Sequence, residues 1–411
     1  MGNKKLIGPI TQLLTLDQLP IKGALKDEQL EIVEQAGIVV EGEKILKTGL
    51  WTALKTEFLQ AELVELKGDF VAIPGLVDCH THICFGGSRA RDFAMRNAGK
   101  SYLEIAQAGG GIWDTVTQTR ALSLDELAAA TAKNANRHLS EGVTTIEVKS
   151  GYGLSVEEEL KMLRAIQKAK ASTPADLVPT CLAAHMKPRD FEGSPTEYLE
   201  RMANQLFPVL EEEKLSGRID AFVEKSAFSP EEITPYLEKA KALGFDLTVH
   251  ADQFTAGGSA VAVELGAKSA DHLEASTDTE VKLLAKSDTI AVALPGASIG
   301  LGCAFTPARK ILDQGGALAI ASDWNPGSAP MGDLIAQASI LATFEKLSTT
   351  EVLAGISFRA AAALGLDDRG KITSGKLADF VLFPTSDYRE ILYQQGKLKP
   401  TMVWKNGKKV G

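Results

Sequence analysis

Eight short apolar runs recur along this chain, most of them separated by stretches with helical spacing, and few folds accommodate that order. The runs are "FVAIPGLVDCHTH", "VTTIEVKSGYG", "DLVPTCLAAHM", "IDAFVEKSAF", "FDLTVHAD", "AKSADHLEA", "TIAVALPG" and "ALAIASDWNPG". In "SLDELAAATAKNANRHLSEG", Leu124, Leu127, Ala128, Thr131 and Ala135 fall on one helical face. Ser123 followed by Glu126 reads as a capping box at its start. The stretch "SVEEELKMLRAIQKAKAS" is spaced the same way. Strand–helix alternation implies a parallel sheet, and eight units predict an α/β fold, a (β/α)8 TIM-type barrel over residues 74–360. The ends differ: residues 37–49 and 401–411 read as β-hairpins, the latter turning on Asn406-Gly407. Both ends lie outside the barrel, so residues 1–73 and 361–411 are expected to pair into one small β-domain.

The histidines sharpen the picture. Of only six, His80 and His82 end the first run, His185 the third, His250 the fifth and His272 the sixth, while Asp323 ends the eighth. On a strand, residues two apart share a face, so His80 and His82 aim into one space while Cys79 and Thr81 face away. Side-by-side buried imidazoles are costly unless something shares their lone pairs, and a divalent metal does so. In such barrels the C-terminal strand edge is the active-site face. A metal bound by His80, His82, His250 and Asp323 keeps a coordination position for water, as hydrolytic sites require. His185 and His272 stand next to it, able to hydrogen-bond the nucleophile or polarise a substrate carbonyl. His138, between Arg137 and Leu139 in a helical stretch, reads as a solvated helix residue.

Composition removes several function classes. A net charge of -9 without any basic, aromatic-laced run argues against nucleic acid. No window of 18 apolar residues suggests a membrane helix. The N-terminal apolar run is broken by Gly8, Pro9 and Thr11, against a signal peptide, and Leu6 stands where myristoylation needs Ser or Thr. Four cysteines without CxxC spacing read as reduced thiols of a cytoplasmic protein.

The stretches "PGLVDCHTH", "VHAD", "ASDWNPG" and "GKITSGKLADFVLF" resemble the amidohydrolase superfamily. The longer segments "HTHICFGGSRARDFAMRNAGKSYLEI", "GGGIWDTVTQTR", "EVKSGYGL", "SADHLEA" and "SDWNPGSAP" are similar to its branch that opens imidazolone rings in histidine degradation. The resemblance implies a β-sandwich built from both chain ends and one Zn or Fe ion on His80, His82, His250 and Asp323. It implies hydrolysis of the ring amide of 4-imidazolone-5-propanoate to N-formimidoyl-L-glutamate. It also implies that Arg89 and Tyr152 hold the propanoate carboxylate, that His185 lies beside the ring, and that Asn325, Gly327 and Ser328 contact substrate or product. Physical chemistry agrees: an anionic substrate meeting an acidic protein needs local positive charge, and Arg89 offers a two-pronged contact, although pairing with Asp92 would also account for it. Gly86 and Gly87 would let the backbone pass close to a ligand. Tyr102 reads as a helix-start residue outside the site.

One position departs from part of the family. Many members carry Glu three residues after the fifth-strand histidine, where this chain has Gln253, which cannot act as a base. The expectation is that Gln253 positions substrate while Asp323, with His272, takes the proton. Three other readings compete. A two-metal cyclic amidohydrolase would use a carboxylated lysine, for which Lys225, beside Glu224, is the candidate. A mononuclear nucleobase deaminase would share the four ligands, and a non-enzymatic scaffold the barrel alone. The partner expected is a small anionic molecule, and a homodimer is the assembly to test.

Overall fold

The computed structural model describes residues 4–410. The first three residues of the N-terminal segment, Gly411 of the predicted hairpin and the side chains of Tyr102, Leu103 and Ala106 lie outside the described residues. Eight parallel strands pair in chain order: β1 (Leu76–Asp78), β2 (Val143–Lys149), β3 (Asp176–Ala184), β4 (Arg218–Val223), β5 (Asp246–Ala251), β6 (Ser269–His272), β7 (Ile290–Ala293) and β8 (Leu318–Ile320). The ring closes beyond β1 and β8 through a parallel bridge between Thr81 and Trp324. There Asp323 N donates to the His80 carbonyl at 3.0 Å, and His82 N to the Trp324 carbonyl at 2.9 Å. The closure therefore sets the putting-together of three polar side chains from opposite ends of the barrel sequence.

The first apolar run is not one strand. Val71–Pro74 pairs with Lys4–Leu14 and Phe380–Phe383 in a second sheet, and only after Gly75 does the chain enter β1. A Cβ at Gly75 would lie 2.4 Å from the Thr144 hydroxyl, so glycine is needed where the chain crosses between sheets. Both segments are wholly buried, and a continuous apolar run cannot reveal such a break.

The second sheet is built from both chain ends, in the order Lys408–Lys409, Met402–Lys405, Phe380–Phe383, Val71–Pro74, Lys4–Leu14, Ile32–Glu41, Lys44–Leu50, with Glu62–Glu65 also on Lys4–Leu14. It curls back on itself, since Lys44 bridges to Leu377. The enclosed core includes Ile7, Ile38, Phe380 and Trp404. Asn406 and Gly407 both take positive φ, as the tight turn between the last two strands requires.

Helix Leu124–Ser140 starts on the expected capping box: Ser123 Oγ accepts from Glu126 N, and the Glu126 carboxylate takes the Ser123 N–H. Its apolar face is buried against the barrel, and so is His138, contrary to the expectation of a solvated residue. His138 Nε2 lies 2.9 Å from Asp78 Oδ2, and its ring packs edge-on to Trp324 at 4.9 Å. Asp78 Oδ1 accepts from Ser322 N at 3.0 Å. The helix thereby ties together β1 and the segment after β8 at the point of closure.

Candidate metal centre and active site

Local geometry aims the polar groups inward. After β1 the chain stays extended, so His80 and His82 face the barrel axis while Thr81 Oγ1 turns away to the Glu147 carbonyl at 2.6 Å. Cys79 packs among Val77, Ala297 and Ala321. His250 points in from β5. On β6, strict alternation would send Asp271 and His272 to opposite faces, yet both are buried at the site. The reason is backbone conformation: His272 and Leu273 have φ of 83° and 73°. Asp323 is also left-handed, at 50°. Non-glycine residues in that region cost roughly 1–3 kcal/mol each, and such strain clusters at functional sites.

Four donor atoms converge. His80 Nε2 lies 3.3 Å from His82 Nε2, which lies 3.4 Å from His250 Nε2. Asp323 Oδ1 stands 3.5 Å from His80 Nε2 and 3.4 Å from His82 Nε2. Bonds of about 2.0–2.1 Å to a tetrahedral ion imply ligand–ligand edges of about 3.4 Å; the three histidine nitrogens lie close enough together to share one ion, and Asp323 adjoins it on the side of His80 and His82. The protonation pattern fits as well. His80 Nδ1 faces Asp271 Oδ2 at 2.6 Å and His250 Nδ1 faces Asp220 Oδ2 at 3.0 Å. Carboxylates there place the ring proton on Nδ1 and leave both Nε2 lone pairs aimed at the shared centre. Burial, then Lys149 and the neighbouring rings, holds His80 far below the usual imidazole range. Burial likewise depresses His82, reinforced by His185, and takes His250 to about 3 despite Asp220. Neutral imidazoles are what a metal needs.

Behind the histidines is a charge network the sequence reading did not find. Lys149 Nζ, wholly buried, lies 2.7 Å from Glu147, 2.8 Å from Asp220 and 3.9 Å from Asp271. These carboxylates hold the lysine protonated against the cost of burial. A sequence signal existed: Thr145, Glu147 and Lys149 put three polar residues on one face of an otherwise apolar strand. With Asp323, four buried carboxylates face one ammonium, and a cation between the rings offsets that excess.

The site opens into a cavity of about 520 Å³ lined by His82, Arg89, Tyr152, His185, His250, Gln253, His272, Asp323, Asn325, Gly327 and Ser328, among others. Every residue expected at the site is thus brought together, His80 lying beneath the cavity floor. His185 Nδ1 is 2.9 Å from the Gly151 carbonyl, which only accepts. The proton is therefore on Nδ1, and the remaining Nε2 is an acceptor suited to a ring N–H rather than a carbonyl. Burial keeps His185 neutral by lowering its pKa. His272 behaves oppositely: burial would lower it, but Glu274, 3.4 Å from its Nδ1, lifts it above the usual value. Tyr152 is buried, and its loop hangs on Glu159, whose carboxylate accepts from the N–H groups of Gly151, Gly153 and Leu154. Asn325 folds the loop after β8: its Oδ1 accepts from Gly327 N and Ser328 N, and its Nδ2 reaches Asp323 Oδ2 at 3.0 Å.

One expectation needs correction, and one rival reading loses its candidate residue. Gly86 and Gly87 do not make room for a ligand: a Cβ at Gly86 would lie 2.7 Å from the Gln118 carbonyl, and one at Gly87 would strike the Gln118 side chain. They admit helix Ile112–Ala121 instead. Lys225 is exposed and cannot bridge metals, while its neighbour Glu224 accepts from Phe254 N and Thr255 N, holding the loop that carries Gln253. Arg89 does both things considered for it: Nε pairs with Asp92 at 2.7 Å, and the residue lines the cavity.

This barrel and centre define a class. Residues 71–410 match the amidohydrolase family, and the chain belongs to it. Among curated proteins, it is 40% identical to the imidazolonepropionase of Bdellovibrio bacteriovorus, over 98% of this chain and 96% of that one. It is equally identical, at 40%, to the imidazolonepropionase of Bacillus cytotoxicus, over 98% and 95% of the two chains. Solved structures share the fold at lower identity. The atrazine chlorohydrolase of Arthrobacter aurescens complexed with zinc is 16% identical, with a TM-score of 0.75 over 98% of this chain and 94% of that one. An adenosine deaminase of Xanthomonas campestris with bound zinc is 20% identical, with a TM-score of 0.71 over 99% and 92%. No described helix is long and apolar enough to cross a membrane.

Proposed function

We propose that this protein is an imidazolonepropionase, a metal-dependent hydrolase that opens the ring amide of 4-imidazolone-5-propanoate to N-formimidoyl-L-glutamate in histidine degradation. The observation that carries the reading is the pairing of a three-histidine centre, adjoined by Asp323, with an arginine in the same cavity. His80, His82, His250 and Asp323 would hold one Zn or Fe ion; both metals accept imidazole and carboxylate. Held there, an ion would acidify the attacking water at neutral pH and act as a Lewis acid toward the ring carbonyl. The chain's own groups do the rest. Arg89 and Tyr152 bind the propanoate carboxylate at one end of the cavity. His185 Nε2 accepts a ring N–H, and Gln253, Ser328 and the Gly327 backbone border the ring. His272, whose pKa Glu274 raises against the effect of burial, donates to the oxyanion that develops on the carbonyl oxygen. Asp323 takes the proton of the attacking water and returns it to the departing ring nitrogen as the C–N bond breaks. The location we propose is the cytoplasm, where four free cysteines are stable; a homodimer is the assembly to test by light scattering.

The two-metal reading is weakened by the exposure of Lys225, and the deaminase reading by Gln253, an amide that cannot shuttle a proton. Turnover of 4-imidazolone-5-propanoate by metal-loaded protein, with the product identified, tests the proposal. Expected are fast hydrolysis, about one metal per chain, near-complete loss in Asp323→Asn with metal retained, and no large gain in Gln253→Glu. No turnover overturns the substrate; a Gln253→Glu gain of orders of magnitude overturns the proton path.

A further inference from the structure

Arg89 is not the only guanidinium in the cavity. Arg96, seven residues on and two turns along helix Ala90–Asn97, lines it too. Its Nη2 donates to the Gly327 carbonyl at 3.3 Å. A Cβ on Gly327 would lie 2.7 Å from Arg89 Nη1, so Gly327 touches both guanidiniums, Arg96 through its carbonyl and Arg89 through the space its missing side chain leaves. Their charge is poorly matched. Asp92 accepts from Arg89 Nε at 2.7 Å and from Gly111 N at 2.8 Å. Among the described residues Arg96 has no carboxylate partner, and its Nε is buried without any hydrogen bond. A buried N–H without a partner is costly, and more so on a charged group. In a chain of net charge -9, two guanidiniums against one carboxylate form a local positive excess that folding does not require.

We propose that Arg96 is a second substrate-binding residue, which clamps the propanoate carboxylate together with Arg89 across Gly327. The inference rests on the reaction proposed above. It explains why a glycine stands at 327 and why Arg96 retains unpaired N–H capacity. An arginine pair holds a carboxylate by charge-assisted bonds from two sides, which selects an anionic side chain on the ring.

The test compares metal-loaded wild type with Arg96→Met on the acid and on its neutral propanamide analogue. Expected is a rise of about tenfold or more in KM for the acid with kcat changed less than about threefold, and a much smaller fall in kcat/KM for the amide. Arg96→Lys, which keeps charge without the fork, should fall between. Binding of glutarate, measured by calorimetry, should weaken by a similar factor at unchanged metal content and melting temperature. Equal losses on acid and amide would overturn the clamp and leave Arg96 as a support of the Gly327 loop. Wild-type turnover with Arg96→Met unaltered would overturn the clamp while keeping the reaction. Glutarate binding that depends on Arg96 in a protein that does not hydrolyse the imidazolone would keep the clamp and discard the reaction. Failure of wild type to bind or turn over either ligand overturns both.

Discussion

At the foot of the barrel, Arg369 and Lys405 share Asp176 at 2.5 and 2.7 Å, Arg369 also meets Asp368 at 2.8 Å, and Lys405 meets Asp379 at 2.6 Å; Asp176 and Asp368 keep access to water, so the wholly buried part is one cation, Lys405, against one carboxylate, Asp379. At the opposite rim Lys149 alone faces Glu147, Asp220 and Asp271, with Asp323 beyond. The foot cluster joins β3 to the sheet of the chain ends and is complete within itself. The rim is left incomplete: Asp271 Oδ1 and His82 Nδ1 are buried without partners among the described residues. Left-handed non-glycine backbone is concentrated at the rim, at Asp252, His272, Leu273 and Asp323, whereas the foot has it at Asn406, a turn residue that tolerates it. Buried charge paired to neutrality serves cohesion, whereas an uncompensated excess of carboxylate and lone pairs is shaped for a cation.

The largest effect that would sharpen this contrast is at the rim. His250→Ala should lose its metal and lower kcat by roughly a thousandfold or more, several kcal/mol of transition-state stabilisation, while circular dichroism stays native. Lys405→Met should do the reverse: a loss of about 3–5 kcal/mol in denaturant unfolding, because Asp379 is left buried and unpaired, with metal content and KM unchanged. A Lys405→Met protein that lost metal would break the separation of the two ends. Asp271→Asn should weaken metal affinity about 10–100-fold in a chelator competition, since His80 loses the carboxylate that fixes its ring.

Mild acid gives the smallest contrast. His80, His82 and His250 have folded pKa values below the unfolded value of about 6.5, so these three make the unfolded chain bind more protons and lower stability as pH drops below about 6.5, an effect that the raised His272 and Asp271 only partly offset. Asp176, which burial would raise but Lys405 and Arg369 pull lower, contributes stability above its unfolded value of about 3.9 and loses it only as pH falls through its folded value. Metal-free protein should therefore melt lower at pH 6 than at pH 7, by an amount that Asp176→Asn leaves unchanged. A difference that vanished in Asp176→Asn would place the titration at the wrong end.

Much of this was legible in the residues alone. The alternation of apolar runs and capped helices is a local property, and so is the shared face of His80 and His82, because period and handedness are written into the backbone. The ends of successive parallel strands fall on one rim whatever the loops do, which is why His185, His250, His272 and Asp323 could be grouped before any coordinates. What lay beyond reach depends on contacts between distant segments. The break at Gly75 is hidden in a run buried throughout, and Gly86 and Gly87 answer to Gln118 rather than to a ligand. His138 meets Asp78 sixty residues away, and Lys149 meets partners from β4 and β6. Which side chains reach the rim follows from strand order and period alone. Which of them are paired depends on the register and closure of the barrel, and neither is a local quantity.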